Sequence, residues 1–229
     1  MSTVRLAVQP IDLNFSLKDK VYEALKATIT SMNIYAGDDE PRLDERQLSE
    51  DLGVSRTPIR EAIARLEQEG FLRIVPRRGV FVVRKTKKEI LEMITVWAAL
   101  ESMAARLITQ NASEAEIATL RRMFGRFEND QINAKIDEYS ETNIRFHQAL
   151  LTLSQCELLN RLAENLFIHM RSIRARTISE NDRASRSIID HMAIIEALER
   201  RDTELAERLA RQHTLDLAAH VEKNVNYLD

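Results

Sequence analysis

The stretch GVSRTPIREAIARLEQEGF, residues 53–71, has the pattern of a helix that reads DNA. Gly53 suits the end of a preceding helix, and the Ser55 hydroxyl suits a cap for the helix that follows. Helical spacing places three apolar side chains where they would pack on a core: Ile59, Ile63 and Leu66. The first turns carry polar groups that can enter a DNA groove: Arg56, Thr57 and Arg60. A surface helix with ordinary solvated arginines is the alternative interpretation.

The segments before this stretch complete a helix-turn-helix. Residues 15–34 have apolar side chains at helical spacing and Ser16 as a cap, so they predict an amphipathic helix. Residues 35–43 are polar, contain glycine and proline, and predict a loop. Asp44 then suits the cap of a short helix, ERQLSEDL, that ends at Gly53. Two short helices joined by so few residues are typical of the helix-turn-helix.

A β-hairpin with a basic tip is expected after the second helix. Residues 71–75 and 80–83 are rich in β-branched and aromatic side chains, and PRRG between them supplies the turn. Arg77 and Arg78 lie at the tip of this hairpin. A helix-turn-helix followed by such a hairpin is a winged helix. Its wing can follow the DNA backbone or enter the minor groove, where arginine is favoured.

Charge is distributed unevenly along the chain of 229 residues, whose formal net charge is −3. Residues 56–88 hold ten Lys or Arg against three Glu, an excess of positive charge typical of a surface that binds a polyanion. No apolar run approaches the roughly 20 residues of a membrane span, and no signal-peptide pattern is present. A lone cysteine, Cys156, rules out an intramolecular disulfide and fits a reducing compartment, so we expect a cytoplasmic protein.

The segment RKTKK, residues 84–88, marks the expected boundary between a winged-helix domain, residues 1–84, and an all-helical domain, residues 85–229. Beyond it the patterns are helical only, with Ser113 and Glu116 as a capping box at one helix start. We expect helices over residues 86–110, 113–134, 137–154, 157–178, 184–200 and 203–226. The predicted fold class is mainly α: an N-terminal winged helix-turn-helix with a small β-hairpin, plus a C-terminal all-α antiparallel bundle.

Several segments together resemble a known family. SLKDKVYEALKATI, ERQLSEDLGVSRTPIREAIARLEQEGFL and PRRGVFV resemble the N-terminal domain of the GntR family of bacterial transcription regulators, over roughly residues 15–83. ALESMAARL, NIRFHQALL, DHMAIIEALERRD and ARQHTLDLAAH resemble the effector-binding domain of its FadR-like branch, the FCD type. The resemblance implies a homodimer that binds a short palindromic operator and responds to a small-molecule effector in a helical pocket.

The resemblance also implies DNA contacts at the matching motif positions: Arg46, Arg56 and Arg60 on the helices, Ser55 and Thr57 on phosphate, and Arg77, Arg78 and Gly79 in the wing. The chemistry of these residues agrees. A guanidinium can pair bidentately with guanine in the major groove. A hydroxyl and the exposed N–H groups at a helix start favour a phosphate.

Polar residues on three predicted helices could form a second site. Asn143 and His147 are four residues apart and share a helix face, while His191 and His213 lie on two further helices. Spacing alone leaves open a metal site or a hydrogen-bonded polar cluster without metal. The resemblance implies a divalent metal, which many members bind with a carboxylate and three histidines. Asn143 stands where aspartate is usual, so binding should be weaker, with zinc expected and nickel or manganese as alternatives.

A small organic acid is the expected effector. Three neutral imidazoles and an amide leave the charge of a divalent ion uncompensated, which favours a carboxylate at the site. Three arginines are candidates to bind that carboxylate bidentately, although each could equally be a surface salt-bridge partner: Arg106, Arg171 and Arg174.

The function expected from these features is that of a transcription regulator, acting as a repressor, and not that of an enzyme. Two alternatives stay open. One is a histidine-ligated, metal-dependent hydrolase targeted to DNA, and the other is a constitutive DNA-binding dimer with a vestigial pocket. Against the hydrolase, the sequence has no HExxH-type motif and no Gly-rich oxyanion or phosphate loop.

Overall fold

Helices joined by short loops make up most of the computed structural model, which describes residues 17–35, 40–125, 127, 136–180, 182–226 and 228. Within these residues the helices are α1 Leu17–Ser31, α2 Glu45–Leu52, α3 Arg56–Gln68, α4 Lys87–Asn111, α5 Glu114–Phe124, α6 Ile136–Leu153, α7 Glu157–Thr177, α8 Arg183–Glu199 and α9 Thr203–Asn224. The strands are β1 Arg42–Leu43, β2 Leu72–Val75 and β3 Gly79–Val82. A winged helix-turn-helix followed by a helical part confirms the predicted fold class.

The helix-turn-helix is formed by α2 and α3, whose limits follow from local chemistry. The Asp44 carboxylate accepts hydrogen bonds from two backbone N–H groups of the first turn of α2, at 2.8 and 3.0 Å. Gly53 adopts the left-handed conformation, with φ of 64°, that ends α2. Ser55 precedes α3 as predicted, but its side chain makes no cap hydrogen bond. Pro58, three residues on, has no N–H to donate, and this removes one of the usual partners of a capping hydroxyl.

The sheet is antiparallel, with the strands in the order β1-β3-β2. The hairpin of β2 and β3 agrees with the sequence prediction. In contrast, β1 lies within residues 35–43, for which the sequence predicts only a loop. This two-residue strand is too short to show the alternation on which strand prediction depends. It is defined by its pairing, in which Arg42 lies opposite Phe81 and Leu43 lies opposite Val80.

The first two helices of the helical part, α4 and α5, begin where the sequence predicts. Thr86 and Glu89 form a capping box at the start of α4, and the predicted capping box of Ser113 and Glu116 is present at the start of α5. Helices α6, α7, α8 and α9 lie within a few residues of their predicted positions. The connections between these helices are short, which favours antiparallel packing of consecutive helices.

Helix α5 is shorter than the helix predicted over residues 113–134. It ends at Phe124 and is followed by Gly125, a residue type that is unfavourable inside a helix. Residues 128–135 lie outside the described part of the chain, as does Ser16, the predicted cap of α1. Among the helices that are described, none is long and apolar enough to cross a membrane.

Two clusters of buried apolar side chains hold these elements together. The first joins α1, α3 and the sheet to α4, α7 and the C-terminal part of α9. The second lies within the helical part, among α4, α5, α6, α8 and α9. Trp97 on α4 is fully buried in the first cluster, so it is a core residue. Because the first cluster is continuous, the winged helix packs directly on the helical part.

Candidate nucleic-acid interface and metal centre

Polar side chains are exposed where α2 and α3 begin. Five predicted DNA contacts are exposed there: Arg46, Ser55, Arg56, Thr57 and Arg60. The Glu45 carboxylate accepts a hydrogen bond from Arg60 Nε at 2.8 Å and lies 3.9 Å from Arg56 Nη2. Arg46 donates from its own Nε to Glu50 at 3.0 Å. The shared Glu45 carboxylate therefore keeps the guanidinium groups of Arg56 and Arg60 side by side at the start of α3.

The wing tip presents the remaining predicted contacts. Arg77 and Arg78 are exposed in the turn between β2 and β3, and Arg77 has a positive φ of 64°. Gly79 has a φ of 120°, a conformation that residues with side chains rarely adopt. A Cβ atom at Gly79 would lie 2.9 Å from Arg42 Nε. Arg42, which the sequence prediction leaves in a loop, thus brings a third guanidinium to the wing.

Three buried histidines from three helices come together inside the helical part. His147 of α6, His191 of α8 and His213 of α9 offer nitrogen atoms that all lie within 4.8 Å of one another. The Nε2 atoms of His191 and His213 are 3.1 Å apart. The rings of His147 and His213 are stacked, with centroids 5.3 Å apart. The structure therefore brings together the three histidines that sequence spacing alone could not connect.

Hydrogen bonds on the outer side of each ring orient the Nε2 atoms toward the cluster. His147 Nδ1 lies 2.5 Å from Glu101 Oε1, and His213 Nδ1 lies 3.0 Å from Asp190 Oδ2. His191 Nδ1 lies 3.5 Å from the Tyr139 hydroxyl. This arrangement is typical of histidines that bind metal through Nε2. His147 Nε2 is buried without a hydrogen-bond partner among the described residues, which a divalent ion would supply.

The histidines of the cluster are neutral at neutral pH. Burial lowers the pKa of His147 and that of His191 well below the usual histidine value, and it also lowers the pKa of His213. The positive charge of Arg174 lowers all three pKa values further, while the Asp190 carboxylate opposes the shift at His213. Neutral imidazole is the form that binds a metal ion, so the cluster has the right protonation state for one.

Asn143 lies one helical turn before His147 on α6 and is also buried. Its Oδ1 atom accepts a hydrogen bond from the Ser187 hydroxyl at 3.5 Å. Ser187 itself lies one turn before His191 on α8. Asn143 is therefore placed on the same side of α6 as His147, where an amide oxygen could add a fourth ligand.

Glu101 is a site residue that the sequence analysis missed. It is 1% exposed, and burial raises the pKa of its carboxyl group. Its carboxylate contacts His147 and also accepts a hydrogen bond from the Thr214 hydroxyl. It lies 3.7 Å from Arg174 Nη2. The signal was present, because Glu101 occupies the apolar stripe of α4 that also contains Trp97. A carboxylate and a guanidinium group therefore lie beside the cluster. The expectation of an uncompensated ion had assumed neutral groups only.

Only one of the three candidate effector arginines lies beside the cluster. Arg174 is 3% exposed, donates to the Thr214 hydroxyl at 3.1 Å, and leaves its buried Nε without a partner among the described residues. Arg106 instead forms ion pairs with Glu207 at 2.6 Å and Glu204 at 3.2 Å on α9. Arg171 pairs with a carboxylate of α6 at 3.4 Å. For Arg106 and Arg171 the salt-bridge alternative is what the structure shows.

Helix α7 connects the cluster with the winged helix. The Tyr35 hydroxyl, just after α1, lies 2.8 Å from His169 Nδ1 on α7, and both residues are buried. The Ser172 hydroxyl donates to the backbone carbonyl of Met32 at 3.2 Å. Arg174, two residues further along α7, contacts Glu101 in the cluster. One helix therefore touches both the buried site and the DNA-binding part.

A winged helix-turn-helix with exposed arginines, joined to a helical bundle around a histidine cluster, defines a DNA-binding regulator. The family model described as "Bacterial regulatory proteins, gntR family" matches residues 17–82, and the FCD domain model matches residues 92–216. The chain therefore belongs to the GntR family of bacterial transcription regulators and carries an FCD domain. As a member of this family it is a transcription regulator and not an enzyme.

Relatives agree with this assignment, and a solved structure shares the fold. The uncharacterised HTH-type transcriptional regulator YdhC of Bacillus subtilis is 29% identical, with 90% of this chain and 88% of the relative covered. The Uxu operon regulator of Haemophilus influenzae is 31% identical, with coverages of 85% and 77%. The HTH-type transcriptional repressor RspR of Escherichia coli is 25% identical, with coverages of 90% and 89%. The solved structure of E. coli McbR/YncC shares the fold, with a TM-score of 0.73 and 24% identity over 92% of this chain and 99% of that chain.

Proposed function

We propose that the chain is a homodimeric repressor whose binding to a palindromic operator is controlled by a small carboxylate effector bound beside a divalent metal ion. The observation that supports this most is the convergence of His147, His191 and His213 inside a winged-helix protein. Burying imidazole groups without full hydrogen bonding is unfavourable, so such a cluster indicates a ligand rather than a packing solution. The proposed domains are residues 1–84 for DNA and residues 85–229 for dimerisation and the effector.

The exposed groups of the winged helix support the DNA half of the proposal. Arg56 and Arg60 lie together at the start of α3, where bidentate pairing with guanine would give roughly 1–3 kcal/mol of discrimination per base pair. The Ser55 hydroxyl makes no cap hydrogen bond, so it can bind a phosphate together with Thr57. Other proposed contacts are Arg46 on α2 and Arg77, Arg78 and Gly79 in the wing. Two copies of α3 related by a two-fold axis would read a palindrome.

The proposed metal ligands are Asn143, His147, His191 and His213. Three imidazole nitrogens and one oxygen suit zinc, while nickel and manganese are the alternatives because an amide oxygen discriminates less. A divalent ion adds concentrated positive charge to a buried site, which attracts an anionic group. Arg174 adds a second positive group with an unpartnered Nε, so an organic acid fits the site better than a neutral molecule.

The proposed link between the two halves is α7. Effector binding near Arg174 would change the environment of the buried pair that it forms with Glu101. The same helix holds the winged helix through His169 and its contact with Tyr35. A shift of α7 would therefore alter how the two winged helices of a dimer are spaced on the operator.

The proposal can be tested with DNA selected by the protein itself. The zinc-loaded protein first selects an operator from a pool of random duplexes, and fluorescence anisotropy then gives the operator Kd with zinc, with chelator, and with zinc plus a panel of organic acids. We expect at least one acid to weaken operator binding by about tenfold, which lies within the usual range of allosteric coupling. The His147→Ala variant should still bind the operator but should lose this response. An identical response in wild type and His147→Ala, or no response to any acid, contradicts the proposal.

A further inference from the structure

A cavity of about 730 Å³ lies between α8 and α9, with His213 of the histidine cluster in its wall. This volume is in the range of sites that bind small molecules. Three basic side chains also line it: Arg183, Arg186 and Lys223. The cavity thus joins the proposed metal centre to a wall that carries positive charge.

The carboxylates around this cavity already have hydrogen-bonding partners. Asp190 is bonded to His213 at 3.0 Å, and Asp216 accepts from the Gln212 side chain at 2.7 Å. Glu180, on the loop before α8, lies 2.6 Å from His220 Nε2. The two carboxylates that line the cavity keep their negative charge, because their hydrogen-bonding partners are neutral groups. Against three basic side chains, the wall therefore keeps a small excess of positive charge.

Arg183 is the basic side chain in this wall that has a buried, unsatisfied donor atom among the described residues. Its Nε atom is buried and has no hydrogen-bond partner among the described residues. Burial lowers the pKa of Arg183 to about 10, and the charges of Arg174 and Arg186 act in the same direction, while the carboxylates of Glu180 and Asp216 oppose the shift. A partly buried guanidinium with an unsatisfied N–H is unfavourable unless an anion binds to it. Its charge interacts with that of Arg174, which lies beside the histidine cluster.

We propose that Arg183 binds a second anionic group of the effector, so that the effector is a small dicarboxylic acid. This inference rests on the proposed function, in which a first carboxylate lies beside the histidine cluster and Arg174. The second carboxylate would lie in the cavity against Arg183, with Arg186 as a further source of positive charge. Dicarboxylates are then preferred over monocarboxylates of the same length, because only the dicarboxylate satisfies both guanidinium groups.

The test is a titration calorimetry series on the zinc-loaded protein with pairs of acids of equal length: succinate and butyrate, glutarate and valerate, adipate and hexanoate. In at least one pair we expect the dicarboxylate to bind about tenfold more tightly, the scale of one charge-assisted hydrogen bond. Arg183→Gln should remove that difference and leave the monocarboxylate affinity unchanged. Arg183→Lys, which keeps the charge but not the planar fork, should be intermediate. Arg208→Gln, the same change at an exposed position of α9, should behave as wild type.

Several results would overturn the inference. Equal affinities for both acids of every pair, or no binding of either, would exclude a dicarboxylate effector. A loss of affinity for both acids in Arg183→Gln, with an unchanged melting temperature, would assign Arg183 to pocket shape instead. The two proposals can fail separately. If the two acids of every pair release the operator equally well from wild type, and Arg183→Gln changes neither, only this inference fails. If dicarboxylates bind through Arg183 but leave operator affinity unchanged, the proposed function fails.

Discussion

Replacing Glu101 by alanine should destabilise the protein far more than an equivalent change at the surface. Glu101 and Arg174 are 1% and 3% exposed, and their charged atoms are 3.7 Å apart. Removing one partner of such a buried pair leaves an uncompensated charge and costs about 3–5 kcal/mol. In Glu101→Ala the His147 Nδ1 atom and the Thr214 hydroxyl also lose their acceptor. We therefore expect a loss of about 4 kcal/mol from a total stability of roughly 5–15 kcal/mol.

Urea unfolding of the chelator-treated protein, followed by circular dichroism, measures this loss from the midpoint and slope. Glu207→Ala is a matched control, because Glu207 of α9 also pairs with an arginine, Arg106 of α4, but at a more exposed position, and it should cost about 1 kcal/mol or less. Adding Arg174→Met to Glu101→Ala should restore part of the stability, since the unpaired charge is then gone. A cost in Glu101→Ala no larger than that of the control, or no recovery in the double variant, would refute the reasoning.

Three further predictions concern DNA, metal and pH. Arg56→Ala or Arg60→Ala should abolish the preference for the selected operator over scrambled DNA in anisotropy titrations while the protein stays folded. Arg65→Ala should keep that preference, because the Arg65 guanidinium lies over the Tyr22 ring, 3.6 Å from its centroid. Asn143→Asp should raise zinc affinity in a chelator competition, because a carboxylate adds negative charge to the ligand set, and an unchanged affinity would remove residue 143 from the site. Burial lowers the pKa of His169 to about 4, so the unfolded chain binds a proton below about pH 6.5 that the folded chain does not bind. As the pH falls from about 6.5 to 4, the free energy of unfolding of wild type should therefore decrease by up to about 1.4 kcal/mol more per pH unit than that of His169→Asn. Equal decreases in urea titrations of the two proteins would contradict this assignment.

The winged helix could be predicted because its signals are local. Asp44 caps α2, and Gly53 ends it in the left-handed conformation, both as their residue types indicate. Where the prediction fails, a neighbouring residue changes the local chemistry or a distant segment decides the structure. Ser55 makes no cap hydrogen bond, because it lies three residues before Pro58, which has no N–H to donate in the first turn of α3. Strand β1 exists only through its pairing with β3, which no two-residue pattern can show.

The buried site was less predictable because it depends on how helices pack. Spacing places Asn143 and His147 on one face of α6, but that His191 and His213 meet them follows from tertiary structure. The family resemblance indicated these four residues as a set. The packing of α6, α8 and α9 determines the distances between the histidines. Glu101 could have been noticed as a carboxylate within an apolar stripe. Its partners on α7 and α9 are far away in the sequence, so its role could not be derived from spacing.

The central claim is that the buried histidines form the ion-binding site of this regulator, and zinc stoichiometry tests it most directly. Chelator-treated protein would be titrated with zinc against a chromogenic competitor, in parallel with the His147→Ala and His213→Ala variants. We expect one zinc ion per wild-type chain and close to none in either variant, with melting of the variants still cooperative. Wild-type protein that binds no zinc, nickel or manganese, or variants that bind the same amount as wild type, would contradict the claim.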